Sequence, residues 1–404
     1  MAFRPSLGAV LAGIGLVAVA GVFVAPGGTI DDPDTADASS GDHRLNLVAY
    51  AVPKPGFEKL IHGFRETDEG ADTGFAESYG ASGDQSRKVA RHMPTNLVNF
   101  SVEPDITRLV DSGQVREDWK DDVPGDESGV SVPFGSVVAF VTREGNPEGL
   151  ESWDDLLEPG VDVISPNPAS SGSAKWNLLA PYASWFFQAL GDGDGADYSA
   201  SDIENAHEES YEAAHEEALA KVTQLVGEHF TVRPKSGREA TSAFEAGQGD
   251  VLLSYENEAI ELDRTGGRID YTVPDDTFRI ENPVAVVDTS DDPDGDLAKA
   301  TEFRDYLFTP EAEKLWASAG FRPAPDLFGN STEVIDTLPD EEKNAFRETD
   351  TVYTIDQLAE AFTVLDPSLE GEDAWDIVDN VLFNRAEPGS GEDDGAITTI
   401  YKAV

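Results

Sequence analysis

Val161–Leu190 reads VDVISPNPASSGSAKWNLLAPYASWFFQAL, and its order decides the fold. Val161–Ile164 is an apolar run of strand length. Pro166-Asn167-Pro168 ends it, because proline lacks the N–H that a sheet interior needs. Ala169-Ser170-Ser171-Gly172-Ser173 is a turn of small residues, and from Ala174 the apolar stretch is long enough to be a helix. A strand feeding a helix through a Ser/Gly turn is one half of an α/β unit. Such a turn presents unpaired backbone N–H groups at the positive end of the helix dipole, which is a ready anion site. Gly172 has no Cβ, so an anion can approach its backbone closely.

The same unit recurs along the chain. Leu45–Tyr50, Thr95–Phe100, Val137–Val141, Asp250–Ser254 and Val284–Val287 are further strand-length runs, with helices expected at Phe57–Phe64 and Asp105–Val110. Strands alternating with helices predict α/β architecture with mostly parallel sheets. There are too many units for one small sheet, so two lobes are expected. Four more junctions could line the ligand crevice: Ala51 after the first strand, Ser82 in Gly80–Ser86, Gly237 in Lys235–Ala240, and Tyr255 after Ser254. In open α/β folds ligands sit outside the carboxyl ends of the strands. Backbone N–H groups, serine hydroxyls and the Tyr255 hydroxyl donate only. A fully ionised tetrahedral anion suits them better than a monoprotonated phosphate, which also needs an acceptor.

Charge narrows the functional classes. The 404 residues include 79 Asp+Glu and 28 Lys+Arg, a net charge of -51. That excludes a nucleic-acid binder, which needs a basic footprint, and a basic patch for anionic lipid. Self-repulsion on this scale opposes compaction unless salt screens it. The Debye length shrinks from about 10 Å at 0.1 M to about 3 Å at 1 M. A chain folded in near-molar salt, from a halophile, is the expectation. With no cysteine, disulfides, thiolate metal sites and cysteine nucleophiles are absent together.

The N-terminus reads as an export signal or membrane anchor over residues 1–25, with an uncharged apolar run from Leu7 to Ala25 behind Arg4. The run nears the ~20 residues that span a bilayer. Residues 26–43 read as an acidic linker. The protein is therefore expected outside the cell, secreted or tethered to the outer membrane face. Residues 191–230 read as an inserted acidic segment whose helix, carrying His207 and His215, is solvated. Asn99 and Asn330 begin glycosylation sequons, Asn330 in the better loop context.

From Leu45 to Tyr401 the chain resembles the sulfate- and thiosulfate-binding proteins of ABC importers. The resemblance rests on VISPNPASSGSAKWN (Val163–Asn177), GDVLLSYENEA (Gly249–Ala259), Gly145-Asn146-Pro147 with Trp153-Asp154-Asp155-Leu156, GASGDQSRKV (Gly80–Val89), YLFTPEAEKLWASAGFRP (Tyr306–Pro323) and VYTIDQ (Val352–Gln357). It implies a two-lobed periplasmic-binding-protein fold of type II, with two crossover hinge segments and a dianion clamped between lobes. It implies backbone N–H groups from Ala51, Ser171, Gly172, Ser173 and Gly237, and the hydroxyl of Ser82. Tyr255 stands where the family has a Trp whose indole donates. Asp84 stands where it often has Lys, and is expected to point outward and cap its helix. Arg238 matches a family Arg near the site, as ligand contact or ion pair. Lobe one would span 44–134 and 275–404, and lobe two 138–272, with crossings near Ser136 and Val273-Pro274. The implied partners are sulfate or thiosulfate and an ABC permease, with no cofactor or metal and a monomeric chain.

Two other readings stand beside this one. Molybdate or tungstate would satisfy the same donors. A Ser-dependent hydrolase would need motifs the chain lacks: the Ser-x-x-Lys spacing ahead of Lys175 falls on Gly172, and no Gly-x-Ser-x-Gly surrounds Ser82 or Ser171. No enzyme activity is therefore expected.

Overall fold

The computed structural model describes residues 43–121, 123–126, 128–191, 208–288, 296–329, 332–384 and 394–404. The leader, most of the linker, His207 and Asn330 lie outside the described residues.

Two sheets share one plan. The first contains β1 (His43–Tyr50), β2 (Thr73–Gly80), β3 (Leu97–Asn99) and β10 (Val284–Val286), in the order β10-β3-β1-β2. β1 is parallel to β2 and β3, while β10 closes the edge antiparallel. The second contains β4 (Phe134–Arg143), β5 (Val163–Ile164), β6 (Phe230–Val232) and β7 (Val251–Tyr255). There β5 is parallel to β6 and β7, and β4 closes antiparallel to β7. Each sheet holds a parallel triple, about β1 in the first and about β5 in the second, closed by an antiparallel strand arriving from elsewhere. This repetition makes the molecule two-lobed.

Two crossings join the lobes. β4 pairs through Gly135–Val137 with β9 (Asp276–Glu281), then through Val138–Arg143 with β7 and β8 (Ile269–Thr272). The chain leaves along β4 and returns along β8 and β9, with Val273-Pro274 between them. Gly135 is required here: a Cβ would lie 2.0 Å from the Ile280 carbonyl oxygen.

Helices cover both faces, which is why the strands read as continuous apolar runs. α1 (Lys54–Arg65) buries Phe57, Leu60, Ile61 and Phe64, one stripe at helical spacing. α2 (Ser82–Val89) and α3 (Pro104–Asp111) complete the first lobe's site-facing end, and α4 (Gly172–Leu190) is buried on nearly all sides. β2, β6, β8, β9, β11 (Arg322–Pro323) and β12 (Thr351–Tyr353) were not expected from sequence. β6 and β12 are only three residues long, and β2 (TGFAESYG) mixes polar and apolar residues without clean alternation.

The helix read as solvated is in fact packed against the core. α5 (Glu208–Gln224) fully buries Tyr211, Ala214, Ala218 and Val222. It forms with α4 the crossover that a parallel β5–β6 pair requires. His215 is held by the Tyr182 hydroxyl at 2.6 Å and packs edge-on to Phe362. Half of that apolar stripe is alanine, so the surrounding glutamates hid it.

The C-terminal segment also differs from expectation. β12 pairs with β9, and α10 (Ile355–Leu365), α11 (Ala374–Val378) and α12 (Ala396–Ala403) follow. Phe187 stacks on Tyr353 at 4.9 Å, Phe186 meets Phe362 at 6.4 Å, and Trp176 meets Trp375 edge-on at 4.9 Å. The described residues of 351–404 thus pack on α4 and α5 rather than with the first sheet. The cause is α4, whose apolar surface needs cover that its own sheet cannot supply.

One charged cluster ties this segment back to the first lobe. Lys120 bridges Glu103 at 2.5 Å and Asp373 at 3.3 Å. Burial pushes the Glu103 carboxyl up to about 7, with Asp373 and Glu281 adding to the rise against the pull of Lys120. A raised carboxyl binds its proton more tightly folded than unfolded. Stability from this group is therefore full below the ordinary carboxylate range and is lost as pH rises through about 7. We expect the unfolding free energy of wild type, relative to Glu103→Gln, to fall by up to about 1.4 kcal/mol per pH unit across that window. Urea titrations at fixed salt check this, and a flat difference would refute it.

Candidate functional site

The site is built from helix starts. α2 begins at Ser82, α4 at Gly172, α6 (Gly237–Glu245) at Gly237 and α7 (Glu256–Arg264) just after Tyr255. The first N–H groups of a helix have no intrahelical acceptor and lie at the positive end of its dipole. Ala81, Ser171 and Tyr255, the residues that precede α2, α4 and α7, make no side-chain cap bond. Ser236 does cap α6, accepting from the Glu239 N–H at 3.2 Å.

Contacts bring these starts together across the lobes. The Gly83 N–H donates to the Ser170 carbonyl at 3.2 Å. A Cβ on Gly172 would stand 2.7 Å from Ser101 Cβ and 2.8 Å from its Oγ. A Cβ on Gly237 would stand 3.2 Å from Ser173 Oγ and 3.4 Å from Val52 Cγ2, which places the Ala51-Val52 turn beside both. The Tyr255 hydroxyl lies 2.7 Å from Ser101 Oγ, with Ser173 and Asn282 also in hydrogen-bond reach. Burial raises the Tyr255 pKa, so the phenol stays neutral. All seven residues singled out in the sequence thus fall in one region.

Several of their roles differ from expectation. The Ser82 hydroxyl donates to Asp105 Oδ2 at 2.6 Å and accepts from the Ser101 N–H at 3.0 Å. Its hydrogen is committed to a carboxylate, so what Ser82 can offer a ligand is its backbone N–H. The Ser171 N–H donates to the Asn167 carbonyl at 2.9 Å, which leaves Gly172 and Ser173 as the N–H donors of that turn. Arg238 pairs with the buried Glu258 at 2.8 Å, the bland alternative of its two readings. Thr241 satisfies the other Glu258 oxygen at 2.7 Å. Asp84 does point outward, but it pairs with Arg87 at 2.6 Å and makes no cap.

Three neighbours were missed. Ser101 follows β3 as Ala51 follows β1, and the same strand-end rule would have found it. Trp176 reaches Ser101 across the cleft, its indole N–H donating to the Ser101 carbonyl at 2.7 Å. Asn282, from the turn after β9, donates to the same carbonyl at 3.2 Å. It lies far from the other two along the chain, and no local pattern marks it.

Outside these residues a cleft of about 280 Å³ opens between Gly83, Arg87, Arg108, Gly172, Lys175 and Asp379. Its cations are paired: Arg87 with Asp84, Arg108 with Asp105, and Lys175 with Asp379. Lys175 is thus engaged away from Ser171, although the two share a helix end. Among the described residues no cluster of three His, Cys, Asp or Glu could hold a metal ion, and no helix is long and apolar enough to cross a membrane.

Comparison with known proteins agrees with this geometry. The family model of bacterial extracellular solute-binding proteins matches residues 45–322. The sulfate-binding protein of Synechococcus elongatus is 35% identical over 283 residues, 69% of this chain and 73% of that one. The thiosulfate-binding protein of Pseudomonas aeruginosa is 32% identical over 281 residues, 68% of this chain and 74% of that one. Among solved structures, the sulfate-binding protein SubI of Mycobacterium tuberculosis superposes with a TM-score of 0.65 at 44% identity, covering 81% of this chain and 99% of that one. Helix starts that meet across two lobes, a matching family model and relatives of this similarity place the chain in the bacterial extracellular solute-binding proteins, in the group that includes the sulfate- and thiosulfate-binding proteins.

Proposed function

We propose that this protein captures sulfate, or thiosulfate, between its lobes and delivers it to an ABC permease in the membrane. The observation that carries this reading is the meeting of the α2, α4 and α6 starts around Gly172 and Ser101, with neutral donors on every side. Asp105 is the carboxylate touching these donors, and Ser82 and Arg108 already engage its oxygens. A fully ionised dianion needs no acceptor, so such a site favours sulfate over monoprotonated phosphate. Short charge-assisted bonds offset its dehydration. The ligand-binding residues are then Ala51, Gly172, Ser173 and Gly237 through backbone N–H groups, Ser82 through its own N–H, and Tyr255 through its hydroxyl, with Ser171 shaping the turn.

The lobes we assign are 44–134 with 282–350, and 138–272 with 351–404, joined through Gly135–Val137 and through the stretch from Val273-Pro274 along β9. Closure is a population shift that the anion favours by touching both lobes. The protein acts as a monomer on the outer face of the cell, released or tethered by residues 1–43, in near-molar salt. It binds and releases its ligand without chemistry.

Calorimetry against sulfate, thiosulfate, molybdate, tungstate and phosphate, in concentrated chloride, tests the reading. Sulfate or thiosulfate should bind at least about a hundred-fold more tightly than phosphate, a gap of about 2.7 kcal/mol. Equal binding of phosphate would overturn the donor-only argument. Tightest binding of molybdate or tungstate would reassign the ligand.

A further inference from the structure

Tyr50 lies beside the candidate site, and neither the sequence nor the resemblance singled it out. It ends β1, one residue before Ala51, and is 2% exposed. Its ring lies 6.3 Å from that of Tyr255, tilted by 55°. Its hydroxyl is buried and has no hydrogen-bond partner. A buried hydroxyl without a partner loses its bonds to water and gains nothing in return. Among the described residues other buried polar groups are also unpartnered, including Thr73, His229, Tyr306, Trp316 and Tyr401, but none of these follows or ends a strand at the site. Tyr50 is the one set against Tyr255.

We propose that the Tyr50 hydroxyl donates directly to the bound oxyanion, giving the first lobe a side-chain donor that faces Tyr255 across the cleft. This rests on the proposed function. The position fits, because the β1 end and the Ala51-Val52 turn already reach Gly237 and Ser173. The chemistry fits as well. Burial holds the phenol neutral, with Tyr255 and Glu258 pushing the same way, so it can donate a proton but adds no negative charge. Ser82, whose hydrogen goes to Asp105, no longer supplies a side-chain donor from this lobe, and Tyr50 takes that part.

The test is calorimetric titration of wild type and Tyr50→Phe with sulfate in concentrated chloride, with melting of both proteins in the absence of sulfate. Sulfate affinity should fall about ten-fold or more in the variant, the usual loss for a hydrogen bond to a charged acceptor. Sulfate-free melting should be unchanged or higher, because an unpartnered polar atom has been removed. Equal affinity of the two proteins overturns the proposal while leaving the function intact. A wild type that binds no oxyanion overturns the functional reading itself. If Tyr50→Phe does not fold, a crystal structure of the wild-type sulfate complex decides: Oη within about 2.8 Å of an anion oxygen supports the proposal, and a separation beyond about 3.5 Å ends it.

Discussion

Gly172→Asp should abolish oxyanion binding and leave the fold intact. Two effects act together. Any Cβ at 172 stands 2.7 Å from Ser101 Cβ, so the lobes cannot reach their closed separation. The added carboxylate then occupies the place of the anion and repels it. We expect a loss of at least about a thousand-fold, which is about 4 kcal/mol. Gly172→Ala carries only the steric part and should lose about ten- to a hundred-fold. The helix itself accepts the change, because an acidic residue at a helix start interacts favourably with the dipole. Melting temperature should therefore be unchanged or slightly higher while calorimetry shows no binding. Retained affinity in Gly172→Asp would remove the α4 start from the site.

Arg322→Met should produce the largest loss of stability among single surface-reaching substitutions. Glu256 is fully buried at the first position of α7, immediately after Tyr255. The Arg322 guanidinium meets it in a two-pronged arrangement at 2.8 and 3.0 Å, and the Arg347 N–H adds a third bond at 2.7 Å. Removing the arginine leaves a buried charge with one backbone donor. Breaking such a pair from one side costs about 3–5 kcal/mol. Urea unfolding in concentrated salt measures this, and the double variant Arg322→Met/Glu256→Gln should recover part of the loss. A cost below about 1 kcal/mol would show that the pair behaves as an exposed one. Because Glu256 adjoins Tyr255, anion affinity should weaken in the single variant as well.

Much of the architecture was legible because βα units announce themselves locally. Leu45–Tyr50 and Asp250–Ser254 are apolar runs of strand length, and Gly172 and Gly237 sit at helix starts that composition alone marks. What escaped depended on tertiary pairing. β6 and β12 escaped because FTV and TVY, although β-prone in composition, are three-residue runs that only pairing with neighbours makes into strands. α5 looked solvated because half of its buried stripe is alanine, set among glutamates. At the site, donors in the backbone were readable from turn chemistry, but hydrogen-bond direction was not. Whether Ser82 gives its hydrogen to a ligand or to Asp105 depends on a residue 23 positions away. Tyr50 was missed for the opposite reason: at the end of an apolar strand it passes for an ordinary core residue, and only its unpartnered hydroxyl sets it apart.

Two of the bonds between the lobes involve no anion. The Trp176 indole holds the Ser101 carbonyl, and the Gly83 N–H holds that of Ser170. They draw an empty receptor shut as firmly as a loaded one. A transporter that senses the shut shape therefore meets a background of vacant receptors competing with full ones for docking. Loosening either bond would quiet that background. It would also lower the apparent affinity, because a receptor that is rarely shut spends ligand binding energy on shutting. Scavenging at trace supply and fidelity of handover thus pull against each other, and contacts of this kind share in setting the compromise.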